Sequence, residues 1–118
     1  MSARPGIALP GLTVTVARSF LQRLVGLLGR RALAADSGLL ITPCNNIHTA
    51  FMRFPIDAIF LDEHARVLAI RSQMGPFRVA MSRHAKACLE LRSGNAAALG
   101  IEVGHCLAPL LPALAGGR

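Results

Sequence analysis

Apolar and polar residues alternate at a period of two over residues 12–17, where Thr13 and Thr15 separate Leu12, Val14 and Val16. Successive side chains of an extended chain point to opposite faces, so this run predicts a strand with one buried side. The period changes at Ser19. Phe20, Leu24, Leu27 and Leu28 recur at helical spacing, Ser19 and Gln22 match a capping box, and Gly29 with Arg30 and Arg31 suits a helix end. Residues 19–28 are therefore expected to form a helix whose apolar stripe packs on a sheet. After a connector over 32–37, Gly38 is expected to turn the chain into a strand over 39–42 that Pro43 stops.

The densest mixture of chemistry and hydrophobicity follows, in residues 47–62, IHTAFMRFPIDAIFLD. Ile47, Thr49 and Phe51 would share one side of an extended chain and His48, Ala50 and Met52 the other. Both sides are mostly apolar, which predicts a strand covered on two faces, with His48 and Thr49 needing partners. Pro55 holds Phe54 extended and predicts a bend or bulge over 53–57 before a strand at 58–61. Residues 62–65 have hairpin-loop length and 66–71 return as the second strand. Residues 72–82, with Gly75, Pro76 and Phe77, show weak periodicity and are expected to be a loop over the sheet. Alternation resumes over 87–92. Ser93 is expected to cap a short helix through Ala96, Ala97, Ala98 and Leu99, closed by Gly100, ahead of a last strand near 105–108. Residues 1–11 and 109–118 read as a flexible lead-in and tail. Strand signals outnumber helical ones several-fold, so the fold class expected is mainly β, a sandwich or partly closed barrel with two short helices.

Composition narrows the classes. A chain of 118 residues with 53% hydrophobic and 16% charged residues suits one domain with a single core and excludes a disordered chain. No apolar run approaches the roughly 18 to 20 residues of a spanning helix, and Pro5, Pro10 and several glycines interrupt the N-terminus, so a cytoplasmic protein without a membrane span is expected. The net charge of +7 could attract anionic partners. Apart from Arg30-Arg31, however, the arginines stand singly, and Trp and Tyr are absent, so specific nucleic-acid binding is not expected. Cys44, Cys88 and Cys106 form no C-x-x-C pair and read as free thiols, although spacing leaves a pairwise bridge open.

Each candidate chemistry has a structural counterpart. His48 and Asp57 could form an orienting acid/base pair, or His48 could be a buried residue satisfied by its neighbours. Arg53 could pair with Asp57 and shape the Pro55 bend, or offer its fork to a carboxylate or phosphate. Glu90, between Leu89 and Leu91, either meets solvent or enters a polar cavity shared with the central stretch. Cys44 needs a nearby His to act as a nucleophile, and Asn45 and His48 lie close in sequence. A metal would have to draw on His48, Asp57, Glu90, Cys44, His84 and His105, whose spacing matches no local metal motif, so no metal ligands are assigned. No P-loop, dinucleotide fingerprint or nucleophile elbow is present, and the cofactor stays unknown.

The ordered blocks SFLQRLVGLLGR, GLLITPCNNIHTAFMRFPIDAIFLDEHARVLAI and AKACLELRSGNAAALGIEVGH resemble the family of domain of unknown function 192 over residues 12–108. That resemblance implies a compact, mainly β fold in a family with many exported members and no established reaction, and it carries over His48, Thr49, Met52, Asp57 and Glu90 as polar or site positions. Two departures stand out. Where the family's turn resembles D-x-x-G-R-V this chain has DEHARV, with Ala65 for Gly, and the late V-G-D is Val103-Gly104-His105.

The functional expectation is a small-molecule or peptide binding module using His48, Thr49, Met52, Arg53, Asp57 and Glu90. Its pocket would be lined by His48, Met52, Phe54 and Phe77, with His48, Thr49, Asp57 and Glu90 converging on one cavity beside Pro55. The alternatives are a hydrolase or metal-assisted enzyme using His48, Asp57 and Glu90, and a protein-interaction scaffold with exposed apolar surface. Oligomeric state is open.

Overall fold

The computed structural model describes residues 11–19, 34–50 and 52–115, and the mainly β expectation holds there. Seven strands form: β1 (Thr13–Ala17), β2 (Ser37–Ile41), β3 (Asn46–His48), β4 (Ile56–Leu61), β5 (Val67–Met74), β6 (Val79–Met81) and β7 (Ala87–Arg92). Two short helices, α1 (Asn95–Ala98) and α2 (Leu111–Ala115), flank a 3-10 turn at Ala108–Leu110. Five strands make an open sheet in the order β1-β2-β7-β4-β5, and β3 and β6 make a separate pair. All contacts in the large sheet are antiparallel except β1 with β2. A parallel neighbour needs a long crossover. The chain between β1 and β2 supplies it and contains the helix predicted at 19–28, which lies outside the described residues beyond Ser19.

β4 is buried at every position and β7 at all but its last, because the large sheet is covered on both faces. Ile59, Leu61, Leu89, Leu91 and Leu40 face a layer containing Ala96, Leu107 and Leu110. Ile56, Ala58, Phe60, Cys88, Leu39 and Ile41 face Ile47, Met52, Phe54 and Ala80. The small sheet and the chain after it therefore form the second layer of an uneven sandwich. Burial of this kind contributes roughly 1.5 to 3 kcal/mol for each large apolar side chain.

Several local expectations need correction. Gly38 lies inside β2 and does not turn the chain: a Cβ there would stand 3.0 Å from Leu91 Cδ2 and 3.3 Å from Leu89 Cδ1, so a larger residue would need both leucines to shift. The central strand stops at His48, in the small sheet, and does not run on to Met52. The expected bend lies at Arg53 and Phe54 and a register shift against β5 falls between Ile56 and Ala58, but β4 already starts at Ile56, so Asp57 is a strand residue. Residues 72–82 contain the end of β5 and all of β6; a register shift between Ile56 and Ala58 and the positive φ of Gln73 break the alternation that would have announced them. Near 105–108 only Cys106 pairs, in one bridge to Arg66. Residues 108–115 form the 3-10 turn and α2, with Leu110 buried and Leu111, Ala113 and Leu114 packed on the core.

The β4–β5 hairpin is closed by Asp62, whose Oδ1 accepts the His64 and Arg66 N–H groups at 2.8 and 3.0 Å. Ala65 completes the turn at φ 62 and is fully buried. An L-residue in that conformation costs about 1 to 2 kcal/mol, whereas its buried methyl returns about 0.8 kcal/mol and its stiffness in the unfolded chain about 0.4 to 1 kcal/mol. These contributions nearly cancel. Ala65→Gly is therefore expected to change unfolding free energy by less than about 1 kcal/mol in urea titration; a loss beyond twice that would show that methyl packing, and not turn geometry, controls the position.

Candidate functional site

Asp57 is fully buried, and its alternation along β4 with Ile56 and Ala58 turns its side chain to the face of Ile59 and Leu61. There its Oδ1 accepts the Gln73 N–H at 2.8 Å and the Gly94 N–H at 3.1 Å, while Oδ2 accepts the Ala96 N–H at 2.9 Å. One carboxylate thus ties the irregular end of β5 to the start of α1. It also does the work expected of Ser93: Gly94, at φ 88, is the N-cap residue, and no side chain of the cap itself bonds the helix. A buried charge held by several backbone donors is tolerated where a lone one is not.

Thr49 is equally buried and equally occupied. Its hydroxyl accepts the Arg78 N–H at 2.8 Å and donates to Gly75 O at 2.7 Å. Its carbonyl accepts the Phe77 N–H and Met52 N–H at 3.1 Å each, and its own N–H donates to Arg78 O. The central stretch is thereby locked to the turn between β5 and β6.

Glu90 is fully buried on the opposite side of the large sheet from Asp57, opposite Ala58 and Leu39 in register. The side chains of β7 alternate: Leu89 and Leu91 join the face that Asp57 serves, and Cys88 joins the face covered by Met52 and Phe54. The expected convergence of His48, Thr49, Asp57 and Glu90 is therefore corrected, because strand alternation sends the two carboxylates apart. The same geometry removes the proposed His48–Asp57 pair and the joint use of His48, Asp57 and Glu90 on one reacting atom. Arg53 is exposed while Asp57 is buried, so their ion pair is corrected as well. Met52 and Phe54 are core residues and Phe77 is exposed, so they do not line one pocket with His48.

His48 instead borders a cavity of about 270 Å³ with Ser19, Pro43, Cys44, Asn45 and Asn46. Its walls come from the connection between β2 and β3, which begins at the cis peptide Thr42-Pro43. That connection is fixed by the Cys44 N–H on Lys86 O at 2.9 Å and the Ser82 N–H on Asn45 O at 2.9 Å. Cys44 Sγ lies 3.1 Å from Asn46 O, and the Asn46 side-chain amide donates to Asn45 Oδ1 at 2.8 Å. Isoleucines 41 and 47 close the apolar side. Sequence reasoning weighed Asn45 only as a neighbour of Cys44 and gave Asn46 no role; the signal was a polar run between two strongly apolar strands.

Among the described residues, no group of three or more His, Cys, Asp and Glu side chains could hold a metal ion. His84 is exposed, and His105 Nδ1 accepts the Glu102 N–H at 3.1 Å. Cys44, Cys88 and Cys106 are free thiols. No helix among the described residues is long and apolar enough to cross a membrane.

Residues 4–108 match the model of the family DUF192, described as an uncharacterized ACR. A protein of unknown function from Novosphingobium aromaticivorans DSM 12444 has a similar solved structure, with a TM-score of 0.69 and 26% identity over 79% of this chain and 71% of that one. A second, from Sinorhizobium meliloti 1021 and proposed to be a transcription regulator, has a TM-score of 0.70 and 28% identity over 79% of this chain and 78% of that one. No curated protein matches.

Asp57→Asn must point an amide donor at a backbone donor, and it is expected to lower unfolding free energy by about 2 to 4 kcal/mol, read as a fall in Tm. A variant as stable as the parent would show that the three N–H groups find other acceptors. Thr49→Val keeps the shape and removes the hydroxyl; the expected loss is about 1 to 3 kcal/mol, with faster hydrogen exchange at the Arg78 amide as the local readout.

Proposed function

Since this chain belongs to the domain of unknown function 192 family, and its buried polar residues are spread over two faces of a sheet, we propose that it is a small-molecule binding module. The reading is supported by one observation: the cavity beside His48 has an apolar wall and several polar side chains on a connection fixed by backbone bonds. Ligand sites commonly combine an apolar lining with a few placed polar groups on a rigid scaffold. Asn45, Asn46, Ser19 and His48 offer amide, hydroxyl and imidazole groups and no permanent charge, which suits a small, polar, uncharged ligand. Of the residues expected to bind, His48 lines this cavity; Thr49 anchors the chain after β3, Asp57 serves the opposite face of the large sheet, Met52 and Glu90 are buried, and Arg53 stays at the surface.

A thermal-shift screen of small neutral polyols, amides and sugars tests the reading. A ligand of the native state stabilises by about 2.7 kcal/mol at a hundredfold excess over Kd. Hits are expected to raise Tm in the parent and to lose that effect in Asn46→Ala and His48→Ala. Hits that stabilise all three proteins equally would place the ligand elsewhere and sink the assignment.

A further inference from the structure

Two strand edges meet at a groove of about 360 Å³ whose lining includes Ile70, Arg71, Gln73, Met74, Arg78 and Val79. Among the described residues, β5 is the last strand of the large sheet and β6 pairs with β3 alone. In that antiparallel pair the Thr49 N–H bonds Arg78 O and the Ser82 N–H bonds Asn45 O, each at 2.9 Å. Bonded and non-bonded pairs alternate along such a ladder. Val79 and Met81 therefore turn their N–H and C=O groups away from β3, toward the edge where the groove lies.

Exposed apolar side chains lie in and beside this groove. Phe77, Val79 and Met81 are exposed at 80%, 76% and 60%. Phe77 also has φ 61, unfavourable for a bulky residue, in the turn Gly75-Pro76-Phe77-Arg78 where glycine is the usual third residue. Thr49 holds this turn through the Phe77 N–H, the Arg78 N–H and Gly75 O. The fold thus maintains a strained aromatic residue in water, a combination that contributes nothing to the stability of the isolated chain.

Charge selects the partner. Between Glu63 and Glu90 the chain carries Arg66, Arg71, Arg78, Arg83 and Lys86 and no carboxylate, and all of these cations are exposed. We propose that the groove docks an extended acidic polypeptide segment, added as a strand to the open edge of β6. Its main chain bonds Val79 and Met81, its apolar side chains cover Phe77, Val79 and Met81, and its carboxylates meet Arg71 and Arg78. Strand addition of this kind takes affinity from main-chain bonds and specificity from alternate side chains. A second copy of the chain would bring the same cations against one another, whereas an acidic strand neutralises them. β3 lines the His48 cavity and pairs His48 with Val79, so the two sites share the small sheet and are tested by separate probes.

The probe is a fluorescein-labelled eight-residue peptide of alternating Glu and Val, compared with its Lys-for-Glu counterpart, titrated with the full chain and followed by anisotropy. The Glu peptide is expected to bind at least about tenfold more tightly than the Lys peptide, with affinity falling as salt rises. The double variant Arg71→Glu, Arg78→Glu and the single variant Val79→Pro should each weaken it by about tenfold or more; proline removes an N–H that the fold does not use. Phe77→Gly should weaken binding while Tm holds or rises. Should Val79→Pro fail to fold, the charge-reversed variant and Phe77→Gly decide. Equal affinity for the two peptides, or affinity unchanged in these variants, overturns the proposal. Binding to phosphatidylglycerol vesicles without peptide binding overturns it in favour of a membrane surface, and self-association in place of peptide binding overturns it in favour of a second copy.

Discussion

The three N–H groups that converge on Asp57 are the constraint from which the rest of the architecture follows. A sheet made almost wholly of apolar residues can pack on both faces, but it does not by itself say where β5 must end or where the chain after β7 must turn. The carboxylate specifies both. Gln73, Gly94 and Ala96 come from segments far apart in sequence, and each bonds the same side chain at 2.8 to 3.1 Å. Because the group is fully buried, each lost bond would leave a donor without water to replace it. The positive φ of Gln73 persists because its N–H is held in this way.

Thr49 performs the matching task on the other face. Asp57 fastens elements within and beside the large sheet, whereas Thr49 fastens the covering layer to the turn that leads into β6. Both are short polar side chains in apolar surroundings, and both spend their bonding capacity on backbone. The candidate binding surfaces are left to the connections: the segment after Pro43 that frames the His48 cavity and the turn that presents Phe77.

Much of this fold was legible because hydrophobic periodicity reports burial directly. β1 and β7 coincide with their alternating runs to within a residue, and the hairpin after Leu61 sits where turn-length polar residues separate two apolar segments. β6 was not legible, since three residues are too few to show a period and the preceding bulge disrupts what alternation there is. For the site, sequence singled out Thr49, Asp57 and Glu90, all of them buried, but left Glu90 open between solvent and a cavity and passed over buried Thr42. It did not say where they point. Asp57 was taken for a bend residue, and moving it into β4 fixes its face; Glu90 then falls on the reverse face by alternation with Leu89 and Leu91. Convergence depends on parity along paired strands, and parity needs boundaries exact to one residue.

The burial of Asp57 and Glu90 also changes how the molecule presents itself to its surroundings. The sequence holds six carboxylates against thirteen lysines and arginines. With two of those carboxylates inside the sheet, only Asp36, Asp62, Glu63 and Glu102 lie at or near the surface to offset the cations. The net charge is unchanged by burial, but the surface shows cations with few carboxylates between them. Such a surface favours repulsion between copies and non-specific attraction to polyanions, both weakened by salt. Retention on a cation exchanger, and adhesion to bulk nucleic acid at low ionic strength, then reflect this general charge and not a specific partner.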